Sequence, residues 1–301
     1  MNFDMGMSAS ELATDFATAS GGSFAPGFPN NIYVSQGFAG VVNVGHDYNP
    51  STNEWEESTF VSAFDITKSR PQPFAYAQAP GRPLNKFATD LYEGHLRLAT
   101  TKTDWSNTDS TTVNQIFVFQ VPAGEERGPE MELVGSTGHL GKKNERITAV
   151  RFKGDRAYVV TFEQIDPFFV VNMSDPRNPK VIGELELPGF SQYLHEVEID
   201  EKKYMLGLGR EDDALKIGLF DISTDETKPT QAAFYLEKQA SSAAGTDSLA
   251  FRYLPKSQFL IIPKSEWTFT PDGNFDGFVV YSVNRTHIAP VYESKSAFLC
   301  H

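Results

Sequence analysis

The chain has 301 residues, 40% of them apolar and including 24 Phe and 11 Tyr, enough to build a sizeable core. Thirty-nine acidic against 26 basic residues leave a net charge of −13, which argues against a nucleic-acid backbone or an anionic membrane as the main partner. A single Cys excludes an intramolecular disulfide, and no apolar run reaches the ~18–20 residues of a membrane span.

In chain order, Met1–Pro29 carries neither the basic stretch nor the apolar stretch of an export signal. Its Ser, Gly, Ala and Pro content predicts a flexible lead-in, residues 1–29, with one short helix at Ser10–Ala17. From Asn31 onward the chain reads as short strands rich in Val, Ile, Phe and Tyr, separated by Gly, Pro, Asp and Ser turns. The clearest unit is Glu145–Gly189. Four runs, Ile147–Phe152, Arg156–Phe162, Phe168–Met173 and Lys180–Leu187, follow one another as an antiparallel meander.

That unit repeats. Its third strand has relatives whose central apolar residues are Phe64, Phe119, Val171, Phe220 and Tyr281, spaced by 55, 52, 49 and 61 residues. A hairpin landmark recurs with it, at Tyr92–His95, Phe152–Asp155, Ile199–Lys203 and Tyr253–Ser257. Five units follow, at roughly 31–81, 86–138, 145–187, 192–237 and 247–296; the first shows no inner strand ahead of Asn31–Gln36. Repeats of ~40–50 residues with four strands each predict an all-β fold, a β-propeller of four-stranded antiparallel blades spanning residues 30–301. Radial stacking lets each sheet bury both faces. A β-sandwich would show far fewer strands, and a solenoid shorter repeats. The abrupt close at Phe298–His301 reads as truncation at the C-terminus, which would leave the five-bladed ring open.

Certain wording is specific. It comprises Asp90–Thr101, Arg146–Phe152 with Gly154–Phe162, Asp166-Pro167 with Ser174-Asp175-Pro176, and Pro188–His195. These stretches resemble the uncharacterised secreted proteins that carry a C-terminal β-propeller distantly related to WD40 repeats. The resemblance implies an exported or cell-surface protein with no assigned reaction.

Candidate chemistry is sparse. Asp272, Asn274 and Asp276 lie at alternate positions before Gly277, as in the first half of a calcium loop, so calcium is the one cofactor the sequence offers. Val280 and Val283 stand where the remaining ligands would fall, and a polar turn explains the same residues. Asp47–Trp55, with alternate oxygens at Asp47, Asn49, Ser51 and Asn53, resembles a kelch turn or a long polar hairpin loop. His195 and Glu196 fall on a predicted inner strand, which would line a central channel. Their counterparts Thr148, Ala149, Leu249 and Ala250 are inert, and a hydrogen-bonded core histidine is the plainer reading. Arg97, Arg146, Arg151, Arg156 and Arg252 are expected to pair with carboxylates of neighbouring blades, among them Asp65, Asp90, Asp166 and Asp175. Asn284 is the better of two glycosylation sequons, the other being Asn172, should a eukaryotic host export the protein.

No serine-hydrolase elbow, zinc-protease, Walker or dinucleotide motif occurs. The expectation is therefore a non-catalytic interaction or structural module with a protein or glycan partner. The alternative is a metal-dependent hydrolase or lactonase-like propeller enzyme. Trp55, Trp105 or Trp267 exposed on one face would favour glycan binding.

Overall fold

Apolar alternation broken by turn residues dictates nearly all the regular structure of this protein. The computed structural model describes residues 28–35, 37–50, 53–67, 71–104, 111–123, 128–162, 166–267 and 274–295. The predicted helix at Ser10–Ala17 and the residues beyond Lys295 lie outside them. Helical structure among the described residues amounts to three 3₁₀ turns, Lys86–Ala88, Ala243–Gly245 and Ser248–Ala250, each opened by a side-chain oxygen of Asn85, Ser242 or Asp247 accepting a backbone N–H.

The strands form five separate antiparallel sheets in sequence order. The first holds β1 (Phe28–Ser35), β2 (Phe38–Asn49), β3 (Glu54–Asp65) and β4 (Gln72–Pro80). The second holds β5 (Thr89–Tyr92), β6 (His95–Asp104), β7 (Thr111–Gln120) and β8 (Glu132–Ser136). In the third, β9 (Arg146–Lys153), β10 (Arg156–Phe162), β11 (Asp166–Asn172) and β12 (Lys180–Leu187) lie side by side. The fourth consists of β13 (Phe190–Ile199), β14 (Lys202–Glu211), β15 (Ala214–Asp221) and β16 (Thr230–Glu237). In the fifth, two short pieces, β17 (Ala240–Ser241) and β18 (Arg252–Leu254), both pair with β19 (Phe259–Glu266), followed by β20 (Phe275–Asn284) and β21 (His287–Lys295).

Two of these sheets differ from expectation. The first has its full four strands, because Phe28–Ser35 is itself the inner strand and pairs with β2. Most of Asp47–Trp55, read as loop, is strand: β2 and β3 pair from Phe38↔Asp65 out to Asn49↔Glu54. The fifth sheet starts at Ala240, ahead of Asp247, and its inner strand is interrupted by two 3₁₀ turns.

The five repeat landmarks all fall in the third strand of their sheets, near its end: Phe64, Phe119, Val171, Phe220 and Tyr281, every one of them buried. In the first, second, fourth and fifth sheets the pairing of third with fourth strand shifts register at the same place. The shifts lie between Ala63 and Phe64, Val118 and Phe119, Leu219 and Phe220, and Val280 and Tyr281. A bulge adds one residue to one strand and sharpens its twist. The recurring aromatic thus marks a recurring bend.

The described structure divides into two compact units. The first comprises Met1–Ile147, Phe152–Arg156 and Asn172–Lys180, so it contains the first two sheets and two turns of the third. Its core joins Phe38, Val42 and Val61 to Leu96, Leu98, Phe117 and Phe119 across three small residues of β4, Ala75, Ala77 and Ala79. The second comprises Thr148–Arg151, Ala157–Val171 and Val181–His301. Its core includes a run of stacked rings, Tyr158 on Phe168 at 6.0 Å and Phe168 on Phe220 at 4.9 Å. Burying each such ring contributes about 1.5–3 kcal/mol.

Candidate functional site

The hairpins that join first and second strands turn tightly. Glu93 and Gly94 have φ of 47° and 75°, and Asp200 and Glu201 have φ of 50° and 62°. Two successive left-handed residues match the twist of the flanking strands. Beside the Glu93-Gly94 turn the first unit forms a solvent-open cavity of about 220 Å³. Glu93, His95, Arg97, Asp155 and Ser174 form its polar wall. Tyr92, Val118, Met173 and Pro176 form the remainder.

Arg97 organises this wall. It faces Asp90 across the β5–β6 ladder and pairs with that carboxylate through both Nε and Nη2. Its Nη1 donates to the Gly154 carbonyl at 2.6 Å. The guanidinium also lies over the Tyr92 and Phe152 rings, 4.9 and 5.0 Å from their centroids. The ion pair is therefore made within the arginine's own sheet and not with a carboxylate of another, because cross-strand neighbours meet at short range without reordering a loop. Tyr33 joins the group, its hydroxyl 3.4 Å from Asp90 Oδ1 and accepting Leu91 N–H at 3.0 Å. Burial raises the pKa of Tyr33, and the hydrogen bond to Glu93, with that carboxylate's charge, raises the pKa of Tyr92. Arg156 donates to Asp155 at 2.8 Å and to Asn172 Oδ1 at 3.0 Å.

The remaining sequence candidates separate. His195 sits on β13 opposite Leu206 among aromatic rings: Tyr193, whose hydroxyl is 3.2 Å from His195 Nδ1, together with Phe251 and Tyr253. Glu196 is the next strand residue, so the two side chains leave opposite faces. Leu249, the counterpart of His195, lies in a 3₁₀ turn and is 88% exposed. Asp272 lies outside the described residues; Asn274 precedes β20, and Asp276 lies within it, opposite Ser265. Among the described residues no three His, Cys, Asp or Glu side chains converge as a metal group. Asn284 uses its Oδ1 to accept from Thr286 N and Oγ1, while Asn172 Oδ1 accepts from Ser174 N and Arg156. Trp267 is exposed, at 48%, and Trp105 lies outside the described residues.

Two constellations escape a reading of the sequence alone. At the far end of the β2–β3 hairpin, Tyr48 pairs with Trp55 across the strands, ring centroids 5.6 Å apart, and the two are 43% and 63% exposed. Polar contacts pin this end. Tyr48 Oη donates to Asn53 Oδ1 at 2.6 Å, Gln78 Nε2 to Asp47 at 2.7 Å and Asn49 Nδ2 to Glu56 at 2.8 Å. Lys102 pairs with Glu56, and Arg82 with Glu57. The signal was present as Tyr and Trp flanking a polar turn, but strand pairing was needed to place them together.

The other constellation is Lys264, whose side chain is only 1% exposed. Its ammonium donates to Glu237 at 2.7 Å, Glu293 at 3.0 Å and Glu266 at 3.2 Å, and lies 4.6 Å from the Phe275 centroid. Burial opposes its charge, but the hydrogen bonds to Glu237 and Glu293 outweigh that and hold its pKa above the ordinary lysine value. Burial, with Glu237 adding to it, pushes Tyr235 up to about 12 and raises Tyr281 as well. Three carboxylates thus surround one buried ammonium.

The sequence profile of the beta propeller domain matches residues 5–294. An uncharacterized protein of Archaeoglobus fulgidus is 40% identical over 206 residues, covering 66% of this chain and 30% of that protein. An uncharacterized protein of Methanocaldococcus jannaschii is 38% identical over 212 residues, covering 69% of this chain and 31% of that protein. The chain thus spans less than a third of the length of the curated relatives it matches. Among solved structures, the β-propeller domain of the trilobed protease from Pyrococcus furiosus aligns over 89% of this chain and 72% of that one, at 10% identity and a TM-score of 0.41. No described helix is long and apolar enough to cross a membrane. With the family profile covering nearly its whole length and five four-stranded antiparallel sheets in sequence order, the chain belongs to the β-propeller domain family.

Proposed function

We propose that this propeller is a non-catalytic interaction module that docks a protein partner through the end of the β2–β3 hairpin. The observation that carries the reading is the exposed Tyr48–Trp55 pair. Tyr and Trp dominate the energetic centres of protein interfaces, since each ring buries a large area at small entropic cost. Here both rings stand on paired strands held from the opposite face by Gln78 and Lys102, so little ordering remains to be done on binding. The resemblance to secreted propeller proteins supports a setting outside the cell or at its surface.

The test compares the intact protein with the double variant Tyr48→Ala, Trp55→Ala on a displayed peptide library and a glycan panel. Peptide ligands should be recovered, and their binding should fall at least tenfold in the variant at an unchanged melting temperature. Binding that is equal in the two proteins, or confined to glycans, overturns the proposal.

A further inference from the structure

We propose that the cavity beside the Glu93-Gly94 turn receives a cationic side chain, the ammonium or guanidinium of a lysine or arginine presented by a peptide. This inference rests on reading the protein as an interaction module but uses a different surface from the aromatic hairpin. The charges around the cavity do not cancel. Arg97 is matched by Asp90, and Arg156 is matched by Asp155. Glu93, beside Asp155 the second carboxylate of the polar wall, accepts the Tyr92 hydroxyl but pairs with no cation among the described residues, so the groups around the cavity carry one negative charge in excess.

The walls also suit the shape of a basic side chain. Lys and Arg carry an aliphatic stem that packs on apolar surface while the head seeks charge. Val118, Met173 and Pro176 offer the apolar surface. Glu93 and the Ser174 hydroxyl offer acceptors for the head. An anion would meet two carboxylates on entry, and the guanidinium that could attract it is already bound to Asp90 and to the Gly154 carbonyl.

The probes are the capped tripeptides acetyl-Gly-Arg-Gly-amide and acetyl-Gly-Lys-Gly-amide. Matched controls carry citrulline or glutamate at the centre. Binding is followed through the methyl resonances of Met173 and Val118 in the intact protein. The basic peptides should produce saturable shifts, the citrulline peptide at least tenfold weaker ones and the glutamate peptide none. Glu93→Gln should weaken the basic peptides at least tenfold while leaving the spectrum folded. Equal binding of citrulline, indifference to Glu93→Gln, preference for glutamate, or no shift with any peptide each overturns the assignment. The variant Tyr48→Ala, Trp55→Ala should bind these tripeptides as the parent does, so failure of the hairpin reading and failure of the cavity reading are told apart.

Discussion

Gly183 on β12 lies directly beneath the backbone of Glu226: a methyl at its Cβ position would run into the Glu226 carbonyl oxygen and stand 2.9 Å from Pro229 Cδ. The same relationship holds between Gly135 on β8 and Pro176, where a methyl would meet the Pro176 carbonyl and lie 2.9 Å from the Arg177 carbonyl carbon. In both, the loop between third and fourth strands of one sheet covers the fourth strand of the sheet before it. The first two sheets meet in a related way, by hydrogen bonds from Tyr76 N to Pro129 O at 3.2 Å and Met131 N to Tyr76 O at 2.7 Å, flanking Ala75. Gly183→Ala and Gly135→Ala should each cost about 1–3 kcal/mol, the usual cost of overpacking. Gly138 has nothing within 4 Å of its Cβ position, so Gly138→Ala should change stability by less than about 0.5 kcal/mol. Urea denaturation of the three variants decides it; equal effects would mean that the loops yield.

How much of this was readable beforehand follows from the range of each interaction. The third-strand landmarks were legible because burial and a bulge demand the same kind of residue each time, and Phe64, Phe119, Phe220 and Tyr281 all stand at that bulge. The hairpins were legible because Glu93-Gly94 and Asp200-Glu201 turn locally. The sequence marks Arg97 as an ion-pair residue with a partner in a neighbouring blade, whereas the β5–β6 register sets Asp90 directly opposite within its own sheet. Lys264 carried no local signal: Glu237 and Glu293 are brought to it from β16 and β21 by folding alone. The Tyr48–Trp55 pair was hidden because Asp47–Trp55 looks polar enough to be loop.

Arg97 holds a charge, a backbone carbonyl and two rings together, with its own side chain almost wholly buried. Arg97→Met leaves Asp90 without its cation and should cost about 3 kcal/mol. Arg97→Lys should recover only part of this, because an ammonium cannot make the two-pronged pair or stack flat on Tyr92 and Phe152. The double variant Arg97→Met, Asp90→Leu should be more stable than Arg97→Met, since no unpaired charge remains. Melting temperatures of the three variants test this; a double variant no better than the single would show that Asp90 loses little by standing alone.

Asp221 ends β15 by accepting Ser223 N at 2.9 Å, Thr224 N at 3.0 Å and Thr224 Oγ1 at 2.7 Å. Burial pushes its pKa up, but these hydrogen bonds outweigh it and the net shift is downward. A carboxyl whose folded pKa is depressed contributes stability above its unfolded value, about 3.9, and loses it as pH falls through the folded value. Asp221→Asn keeps the acceptor oxygen, as Asn172 does at the end of β11, but has no charge to lose. The variant should therefore be the less stable protein at pH 6 and should approach the parent below about pH 4. Denaturation curves that stay parallel from pH 6 to pH 2 would rule out the charge as the source.

On the alkaline side the Lys264 group should govern. Lys264 and Tyr235 both have folded pKa values raised above their unfolded ones, near 10.4 and 10, with Tyr235 reaching about 12. In each case the unfolded chain gives up its proton first as pH rises, so between the two values it binds fewer protons than the folded protein. Stability must then fall. The contribution is fully present below about pH 10 and is lost progressively above it. Tyr235→Phe removes one of the titrating groups and the hydrogen bond to Glu237, made at 3.2 Å, so its alkaline decline should be shallower than the parent's. Lys264→Met is expected to behave differently. It leaves Glu237, Glu266 and Glu293 facing one another without a cation and should cost about 3–5 kcal/mol at neutral pH, the usual loss when a buried pair is broken. Urea denaturation from pH 7 to pH 12 separates the two effects. Parallel declines in parent and Tyr235→Phe would show that the tyrosine is uncoupled from the group, and a Lys264→Met protein as stable as the parent at pH 7 would show that the carboxylates do not need the ammonium.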